Sequence, residues 1–119
     1  YFANRENSKF KIYKIQDSKT RLDSSGLIEL LEKELNYPTI VLFGSKAKGE
    51  DTEKSDYDLA VFTETKRELN LNNFENKLNS KIQLFVFNDK DVKNMKIKNK
   101  ELLNSIMNGI TIRGFLKLL

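Results

Sequence analysis

The stretch Ile40-Val41-Leu42-Phe43-Gly44-Ser45-Lys46-Ala47-Lys48-Gly49 is followed by six residues and then by Asp56-Tyr57-Asp58-Leu59-Ala60-Val61-Phe62. Two short apolar runs thus flank a Gly-Ser turn and a pair of carboxylates. Ile40 to Phe43 is short, apolar and β-branched at its start, which predicts a buried strand. Leu59 to Phe62 predicts a second, with the carboxylates at its mouth.

Gly44 lets the backbone approach a ligand closely, because no Cβ stands in the way. A helix starting just after it would aim free N–H groups at one point and form an anion site. Ser45 adds a hydroxyl donor, and Lys46 and Lys48 add positive charge. On a strand, residues i and i+2 share a face. Asp56 and Asp58 therefore point together, and Tyr57 points away into packing. Two hard oxygen ligands on one face suit Mg²⁺, which takes one or two carboxylates and leaves positions for water and phosphate.

With Phe43-Gly44-Ser45 at this distance from Asp56 and Asp58, the chain resembles the DNA polymerase β-type nucleotidyltransferases. It is most similar in look to the minimal nucleotidyltransferase domains of archaea and bacteria. The motif spans residues 43–62, and the general layout extends the likeness to most of the chain. The resemblance implies that Gly44 and Ser45 hold a triphosphate, with Lys46 and Lys48 where many relatives carry arginines. It implies that Asp56 and Asp58 act in catalysis by holding Mg²⁺. An NMP would pass from an NTP to a hydroxyl as pyrophosphate leaves.

One departure stands out. The family usually carries a third acid on the next strand, which here reads Lys81-Ile82-Gln83-Leu84-Phe85-Val86-Phe87. The matching residue is Gln83, a neutral amide that cannot serve as a general base at neutral pH. Glu64 lies six positions beyond Asp58 and Asp89 six beyond Gln83. Six positions of strand span roughly 20 Å, so neither acid replaces it. Glu50, Asp51 and Glu53 lie nearer and read as solvated.

The chain has 119 residues, a net charge of +4, and neither cysteine nor histidine. Those limits predict one domain with a single core. They exclude disulfides, thiolate or imidazole zinc sites, and histidine acid–base chemistry. No apolar run approaches the roughly 20 residues of a membrane span, and no signal peptide is visible. A cytoplasmic protein is expected. The chain opens at Tyr1, which fits a fragment, and the resemblance implies an upstream winged-helix domain. The lysines at 9, 11, 14 and 19 and at 90, 93, 96, 98 and 100 read as solvated helix faces, since Asp89, Asp91 and Glu101 are interspersed.

Residues 1–22 are polar and basic, with a helix expected near 8–20 as a connector. Residues 23–119 are expected to form the nucleotidyltransferase-like domain. Ser24-Ser25-Gly26 offers a helix cap. Leu27, Leu31 and Leu35 then define an amphipathic helix that stops before Tyr37-Pro38. The pattern continues with a strand at 39–43, a short helix at 45–50, a strand at 56–63, a helix at 70–79 and a strand at 81–87. Helices near 89–95 and 98–108 follow, with Asn108-Gly109 as a stop. Ile110, Ile112, Phe115 and Leu116 read as an apolar tail that packs on the core or a partner, which makes a homodimer credible. Alternating strands and helices predict an α/β fold: a small mixed sheet with flanking helices. Strands apolar on both faces imply helices on both sides or a buried dimer face.

Three functions fit these residues. One is NMP transfer to a hydroxyl, with a partner protein or toxin as an acceptor. The second is a degenerate nucleotide-binding or regulatory module, because Gln83 replaces an acid. The third is an interaction domain that supports an upstream DNA-binding domain.

Overall fold

The structure, a computed structural model, describes residues 2–50 and 55–114, with side chains described from Ser8 onward. Helix α1 (Phe2–Ser25) leads into α2 (Leu27–Glu34), β1 (Thr39–Phe43), the single turn α3 (Ser45–Lys48) and β2 (Tyr57–Phe62). Then come α4 (Asn72–Leu78), β3 (Ile82–Phe87), α5 (Asp89–Lys98), α6 (Lys100–Met107) and β4 (Ile110–Arg113). The four strands form one sheet in the order β3-β2-β1-β4. β1 is antiparallel to both neighbours, and β2 and β3 are parallel. The parallel pair requires a crossover connection, and α4 supplies it.

The period-two pattern of the strands sends alternate residues to two cores. Ile40, Leu42, Tyr57, Leu59 and Val61 join Leu22 of α1, Leu27, Ile28 and Leu31 of α2, and Leu78 of α4. On the other face, Val41, Phe43 and Ala60 join Met95 of α5 and Leu103 and Ile106 of α6. Helices therefore cover both faces, which explains why the strands are apolar on both faces from Ile40 to Phe43 and from Leu59 to Phe62. The fold is the expected α/β arrangement of a small mixed sheet with flanking helices.

Local boundaries follow from a few side chains. α1 is longer at both ends than the expected 8–20, because no Gly or Pro interrupts residues 2–25. It ends where Gly26 takes φ +84°. Ser25 bridges the break: its hydroxyl donates to the Leu22 carbonyl at 2.7 Å and accepts from the Leu27 N–H at 3.2 Å. Asn36 and Tyr37, both at positive φ, turn the chain into Pro38 and β1. α5 begins at a capping box of Asn88 and Asp91. Asn99 ends α5 and caps α6 through the Leu102 N–H, which moves the helix boundary from 98 to 100.

The sequence pattern gave no strand after residue 109. Ile110–Arg113 pairs with β1 as an antiparallel edge strand, and the expected packing of this segment on the core is made from within that strand. Ile110 and Ile112 pack against the α1/α2 core. Gly109 permits this, since a Cβ there would overlap the Leu42 carbonyl. Phe115 and Leu116 lie outside the described residues.

Candidate active site

The end of β1 and the beginnings of β2 and β3 meet at one rim of the sheet. In the antiparallel register Phe43 pairs with Asp58, and in the parallel register Asp58 pairs with Gln83. Gly44, Asp58 and Gln83 are thereby juxtaposed by main-chain pairing alone. Asp56 sits one residue before β2, on the same face as Asp58 by alternation.

Gly44 adopts φ +77°, ψ −156°, a region essentially reserved for glycine. A Cβ at this position would overlap the Asp58 Oδ2 atom. The carboxylate therefore lies directly against the turn. α3 follows at once, and no side chain caps its start. A helix of one turn has little macrodipole; what it can offer a ligand is the main-chain N–H groups of its first turn. Ser45 is half-buried at this point.

The two predicted lysines behave differently. Lys46 is buried, with its ammonium 4.4 Å from the centre of the Tyr57 ring. Tyr57 belongs to the α1/α2 core, so this charge lies across the sheet from Asp58. Lys48 is exposed on α3. The structure thus brings together Gly44, Ser45, Asp56, Asp58 and Gln83, and sets the Lys46 ammonium over the Tyr57 ring. The sequence held no signal for that placement, because neither helix phase nor charge says which side of a sheet a lysine stem will cross. α3 is also held from behind: a Cβ at Gly49 would overlap the main chain of Lys11 in α1.

Electrostatics mark the acid pair. Burial, reinforced by the neighbouring charge of Asp56, raises the Asp58 carboxyl above its ordinary value of 3.8. Gln83 donates from Nε2 to Asp56 Oδ2 at 2.9 Å. Gln83 therefore occupies the expected third position beside the pair. Glu64 and Asp89 do not: the Asp89 N–H donates to Glu64 at 3.0 Å, beyond the ends of β2 and β3 furthest from this rim. Glu50 is exposed, and Asp51 and Glu53 lie outside the described residues. Among the described residues no group of three or more acids, histidines or cysteines converges. Two carboxylates of like charge, one of them destabilised by burial and by its neighbour, form a donor set that a hard divalent cation would relieve. Phosphate and water would have to complete its shell.

No curated protein matches this chain. A family model described as "Polymerase beta, Nucleotidyltransferase" matches residues 26–114. That span runs from the glycine before α2 to the glycine after β4 and contains the Gly-Ser turn, the acid pair and Gln83. On this match and the geometry it encloses, the chain belongs to the polymerase β nucleotidyltransferase family.

Proposed function

We propose that this domain binds a nucleoside triphosphate with Mg²⁺ and transfers the NMP to a hydroxyl acceptor. The observation that carries the reading is the contact of the Asp58 carboxylate with the Gly44 turn. It supports a reading in which the Gly44 turn seats phosphate beside a cation held by the acid pair. Gly44 and Ser45 seat the distal phosphates through main-chain N–H groups and the Ser45 hydroxyl. Asp56 and Asp58 hold the Mg²⁺, which would neutralise charge developing on the transferred group. Lys48, and Lys46 from behind the turn, add positive potential.

In the transfer, the acceptor oxygen forms a bond to the α-phosphorus. The bond from that phosphorus to the β-bridging oxygen breaks, and pyrophosphate leaves with the electron pair. The hydroxyl proton passes to water, since Gln83 cannot take it. A protein hydroxyl is the favoured acceptor class, as in small members that modify a partner such as a toxin.

A second reading rests on the Gln83–Asp56 hydrogen bond. With an amide where a third acid would stand, the domain binds nucleotide but turns over slowly, and works as a regulatory module. An NTP labelled at the α-phosphate decides between them. Transfer of label to a co-purified or supplied acceptor supports the enzyme; Mg²⁺-dependent binding without transfer supports the module. Absence of both rejects the proposal.

A further inference from the structure

We infer that Gln83 makes this a one-cation site, by closing the β3 side of the acid pair with an amide donor. The inference rests on the Mg²⁺–nucleotide reading above and narrows it. The Gln83 Nε2–H group points at Asp56 Oδ2 from 2.9 Å. Only this amide orientation makes a hydrogen bond to an ionised Asp56, because the opposite flip would set two oxygens against each other. The oxygen of Asp56 that faces β3 is therefore already taken by the positive end of an N–H dipole.

The Gly44 side of the pair is built differently. There Asp58 Oδ2 packs directly against the main chain of Gly44, a residue with no side chain. A cation entering on that side meets both carboxylates and the turn where phosphate would lie. One divalent ion also balances the two negative charges. A second, on the β3 side, would have to displace the Gln83 amide or turn it over, and would find one carboxylate oxygen already shared and no unmatched protein charge. Two-metal sites, in contrast, clamp both the attacking and the leaving oxygen. In this chain Gln83 is a positioning residue: it fixes the Asp56 carboxylate and directs the single cation toward the Gly44 turn.

The test is a Mn²⁺ titration followed by electron paramagnetic resonance. The intact chain is saturated with an ATP analogue whose α–β bridge is carbon. The wild type should bind one Mn²⁺ per chain, with any second ion at least about tenfold weaker; Gln83→Glu should bind two, since one added charge at this range is worth more than tenfold. Gln83→Ala should stay at one, with weaker binding, because Asp56 loses its tether. Two equal ions in the wild type, or a single ion in Gln83→Glu, would overturn the inference. If the analogue does not bind at all, the nucleotide reading fails. The role of Gln83 is then decided by the same titration without nucleotide. A Mn²⁺ site gained only in Gln83→Glu supports it, and identical curves reject it. Independently of any metal, the Gln83 side-chain amide resonance should shift in Asp56→Ala; an unchanged resonance rejects the tether.

Discussion

The Asp58 carboxylate fills the space that a side chain at Gly44 would need. The turn and the acid therefore form one mechanical unit, although thirteen positions of sequence lie between them. Gly44→Ala faces two penalties: the overlap with Asp58 and a backbone region closed to alanine. The strain alone is worth about 1–3 kcal/mol. Chemical denaturation should show a loss of that order or larger. Combining it with Asp58→Gly should recover part of the loss as a coupling term. Strict additivity of the two changes would place Asp58 away from the turn.

The raised Asp58 carboxyl gives a stability profile of definite sign. Because its folded-state value lies above 3.8, the folded chain holds more protons than the unfolded chain between those two values. Its contribution is thus fully present below the unfolded value and is lost as pH rises through the folded one. Asp58→Asn should remove that slope and leave the metal-free protein at least as stable at neutral pH. Melting curves across the acidic range, wild type against Asp58→Asn, measure it. A wild type that gains stability relative to the variant as pH rises through this window would contradict the assignment.

Protons and a cation compete for the same carboxylate. Mg²⁺-dependent nucleotide affinity should therefore fall with decreasing pH at a higher pH than an ordinary aspartate would dictate. In calorimetry, Asp56→Ala with Asp58→Ala should leave whatever nucleotide affinity remains indifferent to Mg²⁺. A double variant that keeps its full Mg²⁺ response would remove the pair from the site.

Ser45→Ala should weaken triphosphate binding more than monophosphate binding, since in the proposed function its hydroxyl meets only the distal phosphates. A hydrogen bond to a charged group is worth roughly 1.5–3 kcal/mol, or about ten- to hundredfold in affinity. Parallel titrations with NTP and NMP provide the comparison. An equal loss for both ligands would put Ser45 elsewhere.

The junction at Asn99 offers a control remote from the site. Its side chain accepts from the Leu102 N–H at 3.2 Å and separates α5 from α6. Asn99→Ala should cost about 1 kcal/mol of stability while nucleotide and Mg²⁺ titrations stay unchanged. Altered titrations would mean that α5 and α6 report to the acid pair.

Much of this protein is written in short-range patterns. The apolar run ending at Gly44, the i, i+2 placement of Asp56 and Asp58, and the leucines of α2 each follow from the period of one element. Their geometry depends on residues a few positions away. Such features are readable because backbone sterics and alternation act locally. The position of Gln83 was legible only through the family resemblance, because the register that sets it beside Asp58 joins two separate strands.

What the chain alone could not disclose depends on pairings between distant segments. Ile110–Arg113 alternates like a strand, yet only the free edge of β1 makes it one, because strand hydrogen bonds come from a partner rather than from the segment itself. Lys46 reads as a neighbour of Ser45, and only the fold shows that its ammonium lies over the buried Tyr57 ring. The Gln83–Asp56 hydrogen bond needs β2 and β3 laid side by side. The sequence by itself determined which residues are candidates for the chemistry. The tertiary structure decided which of them meet, because contact between side chains on separate strands is set by sheet order and register.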